Sequence, residues 1–132
     1  MATQNVNVTR RVVDEIWNRG ALHVADELFA VDYVNHGGLI VDMVRGPEAI
    51  KVSVALYRLA FPTFYVTIDE VIADGDMVVL CWTAHRARVE TTESMTGMTR
   101  SRHVGGTIVE SWTTWDQVGV LGQLNIRSSK QA

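Results

Sequence analysis

A chain of 132 residues, 47% hydrophobic and 20% charged, has the size and composition of one ordinary globular domain built on a single core. A net charge of −3 without any cluster of Lys or Arg leaves no footprint for nucleic acid, and no apolar run is long enough to span a bilayer. The lone Cys81 excludes an internal disulfide and sits in an apolar run, as a buried structural thiol does in a reducing compartment. Met1-Ala2-Thr3-Gln4-Asn5 has neither the basic part nor the apolar stretch of a signal peptide, so the expected location is cytoplasmic.

The first half reads as helical. Val12, Val13, Ile16 and Trp17 fall at helical spacing, and Gly20 is placed to end that helix. A second, short helix carries Leu22, Ala25, Leu28 and Phe29 on one side. Residues 31–38 read as a short extended piece entering a glycine loop. Gly46-Pro47-Glu48 starts a third helix, because proline suits the first helical position and a carboxylate suits the positive end of the dipole. Ile50, Val54, Tyr57 and Phe61 form its apolar stripe, and Pro62 stops it.

The second half reads as antiparallel sheet. Phe64, Val66 and Ile68 alternate with Tyr65, Thr67 and Asp69. Asp74-Gly75 is a hairpin signal before a long strand from Met77 to Arg88. Residues 91–97 read as a loop; strands over 99–104 and 107–115 follow, joined at Gly105-Gly106. The tail over 125–132 is polar. Helices first and sheet second give an α+β fold, and helices laid on a bent sheet leave a cavity suited to a small molecule.

The chemistry of the last strand centres on Asp116. A carboxylate beside Trp112 and Trp115 is poorly solvated when charged, which raises its proton affinity toward the range useful in acid/base catalysis. Its local alternative is an N-cap for the residues that follow. In a regular strand Asp116 shares a face with Ile108, Glu110, Trp112 and Thr114.

Several segments, taken in order, resemble the SnoaL-like polyketide cyclases. They are Glu15-Ile16-Trp17-Asn18-Arg19-Gly20, Asp32-Tyr33-Val34-Asn35-His36, Gly46-Pro47-Glu48-Ala49-Ile50, Asp74-Gly75-Asp76-Met77-Val78-Val79, and Gly105-Gly106-Thr107-Ile108-Val109-Glu110-Ser111-Trp112 followed by Asp116. The resemblance covers nearly the whole chain and implies a single domain over residues 1–132, with a core of about 8–124. It implies a nuclear-transport-factor-2-like cone-shaped barrel, with three N-terminal helices packed on a curved antiparallel sheet around an internal pocket. Such domains associate as homodimers or homotetramers. At the position of Asp116 the resemblance implies a general acid/base that closes a polyketide ring by intramolecular aldol chemistry, without metal or organic cofactor.

Around that centre His36 and His85 are the further catalytic candidates, as partners that share a proton or orient a carbonyl. Tyr33, Asn35, Trp17, Trp112, Arg100, Tyr57 and Phe61 are the candidate ligand-binding residues. Asn35 has a turn role as its alternative, His36 a loop role and His85 a core role. The direction of Arg100 matters most: facing inward, it binds an anion or pairs with Asp116 and holds it charged; facing outward, it is a surface residue. Arg102 shares its face, and His103, of opposite parity, is a candidate interface residue. His23, His36, His85 and His103 are dispersed without ligand spacing, so no metal site is expected.

The leading function is thus a cofactor-independent lyase or isomerase acting on a small hydrophobic carbonyl compound. One alternative is a hydrolase like limonene epoxide hydrolase, although Arg86-Ala87-Arg88 and Arg100-Ser101-Arg102 lack its Arg-x-Asp pairing. The other is a non-catalytic binder or interaction module of the same fold.

Overall fold

The computed structural model describes residues 2–37, 44–87 and 92–115. Asp116 and the polar tail lie outside the described residues. The order of elements is α1 (Ala2–Arg11), continued without a break by a π-helical segment (Val12–Trp17), α2 (Val24–Leu28), β1 (Phe29–His36), α3 (Pro47–Ala60), β2 (Tyr65–Asp74), β3 (Met77–Ala87), β4 (Thr92–Val104) and β5 (Thr107–Trp115). The strands form one sheet in the order β1-β5-β4-β3-β2, with helices packed against it. Among the described residues no helix is long and apolar enough to cross a membrane.

Three expectations are corrected. The extended piece after α2 is a full strand, β1, which separates α2 from α3 and pairs parallel with β5 at the sheet edge. Its burial alternates irregularly, with Phe29, Tyr33 and Asn35 buried but Val31 exposed, because its register slips between Phe29 and Val34. The expected loop over 91–97 belongs instead, from Thr92 onward, to β4, where it ladders with β3 from Ala87↔Thr92 to Trp82↔Gly97. Glu93, Ser94 and Gly97 interrupt the strand signal there, and the neighbouring strand supplies the pairing that local propensity does not. The first helix also begins well before Val12 and widens into π geometry, marked by the bond from the Asn18 N–H to the Val13 carbonyl (2.9 Å).

The main core joins Val8, Ile16, Val24, Ala25, Leu28, Phe29, Tyr33, Ala49, Ile50, Val54 and Ile108. A second cluster, Phe64, Ala84 and Met95, is flanked by Trp17, Tyr57, Phe61, Trp82 and Trp115. Two polar clamps hold the end of the first helix. The Asn18 side-chain amide donates to the Val66 carbonyl (2.9 Å) and accepts from the Val66 N–H (2.7 Å), completing the outer edge of β2 as a strand would. The Arg58 guanidinium donates to the carbonyls of Trp17 (3.0 Å) and Asn18 (2.8 Å), which have no helical partner. Gly46 opens α3 at φ +77°, and a Cβ there would meet the Val31 carbonyl oxygen at 2.4 Å, so glycine is required by both conformation and space.

His103, expected at an interface, is buried at 3% exposure, with Nε2 3.0 Å from Ser101 Oγ. Burial pushes its imidazole down to about 4, against the opposing charge of Asp76. An unfolded histidine takes its proton near 6.5, so stability is full above that pH and falls as the pH drops toward 4, by at most about 1.4 kcal/mol per pH unit. Denaturation midpoints measured from pH 7 to 4.5 should therefore decline, and His103→Gln should flatten the decline. A wild-type profile that is level across this window would remove His103 as its source.

Candidate functional site

A cavity of about 160 Å³ lies between the helical layer and the inner face of the sheet. Its wall is largely apolar: Val12, Val13 and Trp17 from the first helix, Phe29 from β1, Ile50 and Tyr57 from α3, and Leu80, Trp82, Ala84, Met95, Ile108 and Trp115 from the sheet. The rings of Trp17, Tyr57 and Phe64 pack on one another with centroids 5.4 to 5.9 Å apart, so Trp17 is held against α3 and the residue that leads into β2.

Its polar side-chain groups are hydroxyls, the Asn35 amide and the indole N–H groups of Trp17, Trp82 and Trp115. Thr9 Oγ1 donates to the Asn5 carbonyl and Ser53 Oγ to the Ala49 carbonyl, both 2.9 Å, so these two hydroxyls turn back on their own helices. Ser111 Oγ donates to Asn35 Oδ1 (3.3 Å), so Tyr33, in close hydrogen bond with Ser111, is the donor to it. Burial pushes the Tyr33 phenol well above its ordinary range and keeps it protonated. Across β3, β4 and β5, Trp82 Nε1 donates to Thr99 Oγ1 (3.0 Å), which lies 3.1 Å from Thr113 Oγ1.

Of the expected ligand-binding residues, Trp17, Tyr33, Asn35 and Tyr57 line this cavity. Phe61 sits beside it, stacked with Tyr57 at 6.3 Å and covered by the Arg86 guanidinium at 5.0 Å. The structure does not bring His36, His85, Trp112 or Arg100 into the wall. β5 holds one extra residue, Val109, since Arg102 pairs with Glu110 and His103 with Ile108. The slip turns Ser111, Thr113 and Trp115 inward and puts Glu110, Trp112 and Thr114 on the outer face. There the Trp112 ring stacks on His36 (5.5 Å, 13°) and lies under Arg100 (4.5 Å). His36 Nε2 meets Glu110 Oε2 at 2.7 Å, and His36 with Arg102 holds the Glu110 carboxyl below the usual range. Arg100 thus faces outward. His85 shares the outer face with Cys81, stacked on Tyr65 at 4.5 Å and 3.1 Å from Thr67 Oγ1.

Among the described residues the wall carries no carboxylate, imidazole or amine, and no group of three metal-ligating side chains occurs. Asp116 follows directly on Trp115, the last described residue of β5 and part of the wall.

The model of one family, SnoaL-like polyketide cyclase, matches residues 7–124. The chain belongs to the SnoaL-like polyketide cyclase family. Among solved structures it is similar to IdmH, a candidate polyketide cyclase from Streptomyces antibioticus, at 27% identity and a TM-score of 0.79, covering 93% of this chain and 99% of that one. A candidate polyketide cyclase from Acidithiobacillus ferrooxidans shares the fold at 24% identity and a TM-score of 0.80, with 92% and 94% covered. One from Bacillus cereus does so at 19% and 0.83, with 96% and 84% covered. No curated protein matches the sequence.

For this SnoaL-like chain the sequence reading passed over Trp82, Thr99, Ser111 and Thr113, all in the wall. Trp82 alternates with Leu80 and Ala84 as a core residue does, and the signal that marks it lies across the ladder. Opposite it stands Gly97, where a Cβ would fall 2.2 Å from Trp82 Cζ2. The bare glycine lets the indole lie across β4 and reach Thr99. Gly97→Ala should therefore displace Trp82, lowering stability by about 1–3 kcal/mol in denaturant titrations and changing tryptophan fluorescence. An unchanged midpoint and spectrum would show that the indole is not seated there.

Proposed function

We propose that the protein is a cyclase-type lyase or isomerase that takes a small hydrophobic carbonyl compound into this cavity, with Asp116 as general acid/base and no cofactor required. The observation that carries the reading is an apolar wall that ends at Trp115, the residue before Asp116. All four histidines are described and none lines the cavity, whose described acid/base groups are the phenols of Tyr33 and Tyr57, so a carboxylate or imidazole there has to come from a neighbouring segment. Outside the described residues the carboxylates are Asp42, Glu90 and Asp116, and only Asp116 adjoins a wall residue in sequence. A carboxylate meeting so apolar a surface has raised proton affinity; it removes a proton next to a carbonyl and returns one to the product oxygen. The role of Asp116 is supported by the family and by this adjacency, and no longer by parity with Trp112, whose face is the outer one.

A binder without catalysis is the second reading, favoured by the absence of any acid or base other than tyrosine in the described wall. The hydrolase reading gains nothing from Arg100 and Arg102, both on the outer face. Self-association as a homodimer or homotetramer belongs to the proposal; half-exposed Ile72 and Met98 on the sheet support it.

Asp116→Asn should lower turnover of a polyketide-like ketone substrate by roughly 10²–10⁴-fold while leaving the denaturation midpoint and ligand binding in place. A variant as active as the wild type would end the acid/base role. Ligand binding without turnover by the wild type would favour the binder. Sedimentation at micromolar concentration should give a dimer or larger species, and a monomer throughout would reject the assembly.

A further inference from the structure

Hydrogen counting separates two networks in the cavity wall. In the first, Tyr33 donates to Ser111 and Ser111 donates to Asn35 Oδ1, so both hydroxyl hydrogens have acceptors and the donors left over are the two hydrogens on Asn35 Nδ2. The second holds three hydrogens, one on Trp82 Nε1 and one on each of Thr99 and Thr113, but only two bonds join them. Indole N–H only donates, so Thr99 Oγ1 accepts from Trp82. If Thr99 then donates to Thr113, the Thr113 hydrogen is left over. If Thr113 donates to Thr99, the Thr99 hydrogen is left over. Either way one hydroxyl hydrogen has no acceptor among the described residues, on side chains that line an apolar cavity. Thr99 and Thr113 sit directly opposite on β4 and β5, and β-branching limits their rotamers, so the donor is held in place. Donation from Trp82 polarises the chain and strengthens its last bond.

We propose that the Thr99 and Thr113 hydroxyls, backed by the Trp82 indole, form a carbonyl-binding site that donates a hydrogen bond to the oxygen of a cyclic or aryl ketone. The site rests on the reading that the cavity takes a carbonyl compound, and it holds whether or not Asp116 is catalytic. It anchors the oxygen on which negative charge develops when a neighbouring carbon loses a proton, so the same bond strengthens as an enolate forms.

The test compares α-tetralone with tetralin, its hydrocarbon counterpart, by calorimetry and by quenching of tryptophan fluorescence. Wild-type protein should prefer the ketone, and the C=O stretch of bound ¹³C-labelled tetralone should move to lower frequency than in hydrocarbon solvent. The double variant Thr99→Val/Thr113→Val should lose roughly five- to tenfold in ketone affinity, keep its affinity for tetralin, and return the C=O band toward its hydrocarbon position. Equal wild-type binding of both compounds, or a ketone preference and band shift that survive in the valine variant, would overturn the site and leave the cavity reading standing. Binding of neither compound would overturn the cavity reading and the site with it. Should the valine variant not fold, Thr99→Ser/Thr113→Ser, which keeps both hydroxyls, must retain the preference and the band shift; losing them overturns the site.

Discussion

The extra residue in β5 governs which side chains the cavity sees. On β4, Thr99, Ser101 and His103 point inward in regular alternation, and Arg100 and Arg102 point outward. β5 begins in step, with Ile108 inward, then gains Val109 and reverses. The side-chain period of a strand is two, so one inserted residue exchanges the whole set beyond it. Ser111, Thr113 and Trp115 enter the cavity, and Glu110 and Trp112 leave it. That single slip adds the Ser111 and Thr113 hydroxyls and the Trp115 ring to the cavity and places the Glu110 carboxylate and the Trp112 ring on the outer face.

The helical layer depends on comparable local exceptions. The π turn brings Val12, Val13 and Trp17 to the same cavity. Such a turn leaves carbonyls without helical partners, and Arg58 of α3 supplies donors to two of them. Gly20 lies under that guanidinium, where a Cβ would stand 2.8 Å from Arg58 Nε. Asn18 fastens the same segment to β2. Trp17 is therefore positioned by α3 on one side and by the sheet on the other, and the wall of the cavity is as rigid as those clamps.

Periodicity made most elements legible: the stripe Ile50, Val54 and Tyr57 lies on α3 with Phe61 at its cap, Val66 and Ile68 alternate on β2, and the two glycine hairpins lie where the spacing puts them. Trp17, Tyr33, Asn35 and Tyr57 were also readable as cavity residues. The failures in the sheet had one kind of cause. The start of β4, the parallel strand β1 and the facing of Trp112 are each decided by a partner strand, through pairing or through a slip, and no local window contains the partner. Trp82 escaped notice for the same reason, since its meaning comes from Gly97 across the ladder.

The separation of charge from cavity bears on any carboxylate that reaches it. Arg100 lies over Trp112 and Arg102 beside Glu110, both outside. Arg86 is buried but paired across the ladder with Glu93 at 3.3 Å and covered by Phe61. A guanidinium in the wall would hold a carboxylate charged and make it a weak base. The described wall offers none, only hydroxyls, an amide and indole N–H groups, a set of donors that can stabilise a negative oxygen without fixing a proton on the protein. An acid/base entering from beyond Trp115 would meet a surface that raises its proton affinity and already holds a donor for the ligand oxygen.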